Sequence, residues 1–95
     1  MISVPMIDPT DEQIRADIMN RLLRRNCWGE KYLPIDSLIN WMGKQIKRNG
    51  KRVRKLLDDL TKEGFLFLHK RNTTASLNPR MKGQIIEYIE KNLTQ

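Results

Sequence analysis

Cysteine and histidine are almost absent from this chain of 95 residues, which contains only Cys27 and His69. A single cysteine excludes an intrachain disulfide and any zinc site built from several cysteines. A single histidine excludes a cluster of imidazole ligands, so we expect no bound metal. Nothing near Cys27 in the sequence suggests a partner base, and a small buried thiol is the simpler interpretation of this residue.

Long hydrophobic runs are also missing. No uninterrupted apolar segment approaches the roughly 20 residues that would span a bilayer. Residues 1–8 have neither a basic start nor a long apolar stretch, so they do not resemble a secretory signal. We therefore expect a cytoplasmic protein that does not associate with membranes.

Signatures of catalysis are lacking as well. The chain has no phosphate-cradling glycine loop, no nucleophile elbow and no convincing pair of catalytic acids. Asp58 and Asp59 are adjacent, and each follows a basic residue by four positions, Arg54 and Lys55 respectively. Ion pairing on a helix surface explains these acids more simply than catalysis does. We expect no enzymatic activity, no cofactor and no small-molecule ligand.

Positive charge is abundant. Eighteen Lys and Arg against eleven Asp and Glu leave a net charge of +7. A chain of this length forms one domain with a single modest core. A small basic domain suits a polyanionic partner, and nucleic acid is a better candidate than an anionic membrane surface.

The apolar periodicity predicts a mainly helical chain with a small β-hairpin. Thr10 and Gln13 have capping-box spacing at the start of the first helix, and Asn78-Pro79 opens the last one. An extended arm over residues 1–9 precedes the first helix. The predicted helices cover residues 11–25, 35–47, 51–63 and 79–93, and the predicted strands cover 31–33, 65–68 and 75–77.

This order of elements resembles the winged helix-turn-helix DNA-binding domains. The resemblance is strongest over residues 53–66, VRKLLDDLTKEGFL. In that family a Val-Arg pair, two leucines three positions apart and a Glu-Gly before two apolar residues mark the recognition helix as it enters the wing. The resemblance covers residues 11–78 and implies sequence-specific binding of double-stranded DNA, typical of a transcriptional regulator.

Basic residues crowd the third predicted helix, and no acid occurs between Asp36 and Asp58. With Val53 and Leu57 turned inward, long cationic side chains face outward, as a helix would present them to a major groove. A solvated basic helix face is the alternative interpretation. We expect base-edge contacts from Lys51, Arg52 and Lys55, and phosphate contacts from Arg48 and Arg54.

A second basic cluster lies at the hairpin, where no acid occurs between Glu63 and Glu87. Such a tip suits phosphate contacts or insertion into the minor groove, although polar hairpin tips are also simply soluble turns. The candidate residues of this wing are Lys70, Arg71, Asn72 and Thr73.

Two questions stay open at the level of sequence. The stripe formed by Met81, Ile85, Ile89 and Leu93 suits either a homodimer through the first and last helices or the core of one chain. Phosphate attraction does not distinguish DNA from RNA, and an RNA-binding or protein-interaction module is the alternative to a DNA-binding regulator.

Overall fold

The computed structural model describes residues 10–42 and 49–93. The predicted arm over residues 1–9 and the predicted helix end over 43–47 lie outside the described residues. The described residues form four α-helices and a small three-stranded antiparallel sheet. In chain order the elements are α1 (Asp11–Arg24), β1 (Leu33–Pro34), α2 (Ile35–Met42), α3 (Asn49–Lys62), β2 (Leu66–His69), β3 (Thr74–Leu77), a 3₁₀ turn (Pro79–Met81) and α4 (Lys82–Leu93).

The predicted first helix is confirmed, with its capping box. The Gln13 amide donates to Thr10 Oγ1 at 3.1 Å, and the Thr10 amide donates to Gln13 Oε1 at 3.0 Å. These two bonds satisfy amides that have no partner inside the helix. The helix ends at Arg24, shortly before Asn26 adopts a left-handed φ of 59°.

The third helix has the apolar back that the sequence predicts, although it begins at Asn49 rather than at Lys51. Val53 and Leu57 are buried, and Leu57 is 2% exposed. At its end Gly64 has a φ of 89°, and the Phe65 amide reaches the Leu60 carbonyl at 3.0 Å. This Schellman-type ending turns the chain sharply from α3 into the hairpin.

The hairpin is present: β2 lies one residue later than predicted, and β3 begins one residue earlier and ends where predicted. The three strands are ordered β1-β3-β2, and Leu66 pairs with Leu77 while His69 pairs with Thr74. The predicted short strand at 31–33 lies instead at Leu33–Pro34. Pro34 is tolerated because β1 is an edge strand, where one unpaired side needs no amide donor.

The last helix packs against the first and completes one core. Asn78 caps it as predicted, but its first turn is 3₁₀ rather than α-helical. Ile85 is fully buried and Ile89 is 8% exposed, and both belong to the cluster formed by Ile14, Ile18 and the other buried apolar side chains. Of the two interpretations of this stripe, the structure therefore favours the core of the chain itself.

Candidate nucleic-acid interface

The outer face of α3 presents cations to solvent. Lys51, Arg54 and Lys55 are exposed, whereas Val53 and Leu57 on the opposite side are buried. Lys51 forms no ion pair within residues 10–42 and 49–93. The predicted phosphate contact Arg48 lies outside the described residues.

Arg52 does not extend outward from this face. Its Nε and Nη2 atoms both donate to Asp11 Oδ1, at 3.1 and 2.9 Å, and its side chain is only 28% exposed. The pair joins the first turn of α3 to the first turn of α1. Arg52 must leave Asp11 before its guanidinium can contact a base edge.

Carboxylates also accompany three other cations of α3, namely Arg54, Lys55 and Lys62. Arg54 reaches Asp36 on α2 at 3.5 Å, and Lys55 reaches Asp59 at 3.4 Å. Lys55–Asp59 is the predicted pair, but Asp58 bonds Lys62 at 3.1 Å instead of Arg54. The order of acid followed by lysine four residues later is the favourable one on a helix. The hydrogen bond that Lys62 donates to Asp58 also raises the pKa of Lys62.

The hairpin tip is built from consecutive left-handed residues. Lys70, Arg71 and Asn72 have φ values of 50°, 57° and 66°. Thr73 closes the turn, because its amide donates to the His69 carbonyl at 3.1 Å and its hydroxyl donates to the Lys70 carbonyl at 2.7 Å. All four tip residues are exposed. The turn thus projects the two cations beyond the sheet.

An open cleft of about 160 Å³ lies between α3 and the hairpin turn, and the carboxylate of Asp58 is part of its lining. Arg54 on α3 and Asn72 in the turn line it together, above the apolar side chains of Leu57 and Leu68. The fold therefore brings the helix candidates and the hairpin candidates onto adjoining surfaces.

Aromatic neighbours of the hairpin were not evident from the sequence. Tyr32 stacks on His69 with ring centroids 4.6 Å apart, and Lys70 Nζ lies 5.3 Å from the Tyr32 ring centroid. Tyr32 belongs to the connector after α1, so only the tertiary fold places it beside the turn. His69 Nε2 is 3.0 Å from Ser76 Oγ, within hydrogen-bond distance.

The remaining observations concern the single thiol, metal ligands and membrane-spanning helices. Burial raises the pKa of the Cys27 thiol and keeps it protonated at neutral pH. Among the described residues, no group of three His, Cys, Asp or Glu side chains is placed to hold a metal ion. None of the helices within those same ranges has the length and apolar character needed to cross a membrane.

Comparison with known proteins adds no assignment. The chain matches no protein-family model, no curated protein and no solved structure.

Proposed function

We propose that this chain is a winged-helix protein that binds double-stranded DNA at specific sequences and acts as a cytoplasmic transcriptional regulator. In this proposal α3 enters the major groove, and the β2–β3 hairpin is the wing that holds the backbone or the minor groove. The order helix, strand, helix, helix, hairpin supports the proposal, since it is the order expected from the family resemblance. Regulation would follow from occupancy of a site, without covalent chemistry.

One observation carries the proposal: an exposed basic helix face adjoins an exposed basic turn. The α3 helix is held from behind by buried leucines, and one of its outer cations, Arg54, lines the same cleft as Asn72. An α-helix with its side chains is about 10–12 Å across, and the major groove is about 12 Å wide. The helix can therefore enter the groove while the turn remains beside the backbone.

The ion pairs on α3 are weak enough for DNA to replace. The Lys55–Asp59 pair is an exposed pair four residues apart, a type that stabilises a helix by only about 0.2–0.5 kcal/mol. A correct base contact contributes about 1–3 kcal/mol of discrimination. Lys51 and Lys55 are therefore the leading base-edge residues of the proposal. Arg52 contributes only where contact with a base outweighs its bond to Asp11.

Selection from a random duplex pool tests the proposal most directly. We expect enrichment of a common sequence, which then competes better than its scrambled version at a fixed salt concentration. Structured RNA of similar length should compete more weakly at that same salt. Enrichment of no sequence would reject the specific-regulator proposal, and stronger competition by RNA would favour the RNA-binding alternative.

A further inference from the structure

The sheet has a second face that is not directed at the helical core. Along β2, Leu66 and Leu68 belong to or pack against the core, so the alternating Phe67 and His69 lie on the opposite face. Phe67 is 41% exposed, which is unusual for a large apolar side chain. Its cross-strand neighbour is the small Ser76, which leaves the phenyl ring prominent.

Rings continue across this face from Phe67. The Phe67 ring is nearly perpendicular to His69 with centroids 6.5 Å apart, and His69 in turn stacks on Tyr32. The Ser76 hydroxyl lies within hydrogen-bond distance of His69 Nε2 and itself donates to the Gly29 carbonyl at 2.7 Å. Hydrogen bonds and stacking therefore fix the ring row in place. We call Phe67, His69 and Tyr32 the aromatic face.

The hairpin segment that carries Phe67 and His69 contains cations and no carboxylates. Lys70 lies over Tyr32, and Arg71 follows it in the exposed turn. No acidic residue occurs from Gly64 to Ile86, a segment that includes both hairpin strands. An exposed phenyl ring on a segment whose charged side chains are all cations suits a ligand that is flat, aromatic and anionic along its backbone.

We infer that the aromatic face binds unpaired bases of single-stranded nucleic acid. Phe67 provides the stacking surface, and Lys70 and Arg71 contact the phosphates of the same strand. Stacking needs a base whose face is free, which a paired duplex does not offer along its length. The inference thus concerns a different ligand and a different surface from α3, although Lys70 and Arg71 serve both proposals, and it does not depend on duplex binding.

The test uses a fluorescent oligothymidylate of about 15 nucleotides and a duplex of equal length, both titrated with the full chain. Phe67→Ala should weaken binding of the single strand about 5- to 150-fold, the range expected for one lost base stack. Its effect on the duplex should be less than twofold. A 2-aminopurine base in the strand should be quenched by the unaltered protein and much less by the variant.

Two further variants make the result specific. Trp41→Ala removes the other exposed large aromatic, which lies on α2 under the Arg25 guanidinium, and should leave single-strand binding unchanged. Phe67→Leu keeps an apolar side chain on the sheet but removes the ring, and should weaken single-strand binding nearly as much as alanine does. Circular dichroism confirms that each variant is folded.

Several outcomes would overturn the inference. Absence of single-strand binding at low salt would do so, and duplex binding in the same experiment would leave the proposed function intact. Equal losses for strand and duplex would place Phe67 in a common site rather than a separate one. Unchanged binding by Phe67→Leu would show an apolar contact without stacking, which suits a protein partner instead.

Discussion

The two basic regions of this molecule differ in how their charge is balanced. On α3, four of the five cations have a carboxylate partner, namely Arg52, Arg54, Lys55 and Lys62. At the hairpin, Lys70 and Arg71 have no carboxylate partner among the described residues, and the nearest acids in sequence are Glu63 and Glu87. The helix has more cations, but a larger fraction of the hairpin cations lacks a carboxylate partner.

This difference indicates a division of labour in the proposed function. Paired cations gain little from a stray phosphate, since each must first give up its carboxylate. Unpaired cations attract any polyanion and release its counterions. We expect the hairpin to supply general affinity and α3 to supply discrimination between sequences.

The largest effect should come from breaking the scaffold that holds the two regions together. Ile89→Lys places a charge between α4 and α1, where Ile89 is only 8% exposed. We expect a loss of about 3–5 kcal/mol in the free energy of unfolding, because the new charge has no buried partner. Denaturation followed by circular dichroism measures it. Gln84→Lys adds the same charge at an exposed position of α4 and should cost little.

Sedimentation of the same variant addresses the predicted homodimer. A folded Ile89→Lys monomer with weaker DNA binding would show that Ile89 serves an interface between two chains. Loss of the fold would agree with the monomer core that the structure contains.

Leu57→Ala should have the next largest effect, about 2–5 kcal/mol in the free energy of unfolding. Leu57 is 2% exposed and also lines the cleft between α3 and the hairpin. Both basic regions should therefore lose binding together as the folded population falls. Urea denaturation provides the measurement, and Lys51→Ala on the exposed side of the same helix is the control. An unchanged midpoint would contradict the packing described for α3.

The side chains proposed to read bases should affect sequence preference. Lys51→Ala and Lys55→Ala should each cost about 1–3 kcal/mol on the preferred duplex and less on a scrambled one. Competition with the two duplexes measures the ratio. Lys91→Ala, an exposed lysine at the far end of α4, is the matched control. If both duplexes lose affinity equally, α3 attracts DNA without reading it.

The hairpin cations should affect every duplex alike. Lys70→Ala and Arg71→Ala should each make the slope of log affinity against log salt shallower by about 0.9, the value for one lost phosphate contact. Titrations at several salt concentrations give this slope for matched and scrambled duplexes. A change in preference between the two duplexes would mean that the wing reads sequence and would reverse the proposed division.

The smallest expected change is a gain. Asp36→Asn removes the carboxylate that lies 3.5 Å from Arg54, and both side chains are well exposed. Exposed pairs contribute about 0.2–1 kcal/mol, so affinity for any duplex should rise about 1.5- to 5-fold. Glu87→Gln changes the net charge equally on α4 and should have less effect. Equal gains from both variants would indicate net charge alone.

Local patterns predicted the elements because each element carries its own signals. Examples are the capping box at Thr10, the four-residue apolar repeat of α1 and the glycine at position 64. Each of these signals involves residues that are only a few positions apart in the sequence. These signals do not extend to the placement of β1, whose position depends on pairing between Leu33 and the distant Ala75.

The candidate site was less predictable because its key contacts join distant parts of the chain. Arg52 and Asp11 are 41 residues apart, so the sequence alone counts Arg52 as an outward cation. Likewise, the left-handed conformations of Lys70 and Arg71 have no sequence signal, since neither residue type favours positive φ. The sequence shows how many cations each region has, whereas only the fold shows which of them are paired with carboxylates.

The position of β3 has a consequence for the mobility of the hairpin. β3 pairs with β2 along one edge and with β1 along the other, and all four of its residues are buried. At the end of β3, past the residues that pair with β1, the Leu77 amide donates to the Cys27 carbonyl at 2.7 Å. The Leu77 carbonyl accepts from the Gly29 amide at 2.9 Å. Amide protons of β3 should therefore exchange with solvent only when the whole domain opens, while those of residues 70–72 exchange by local fluctuation. We therefore expect the hairpin to be rigid at its base and any conformational adjustment to be confined to its tip.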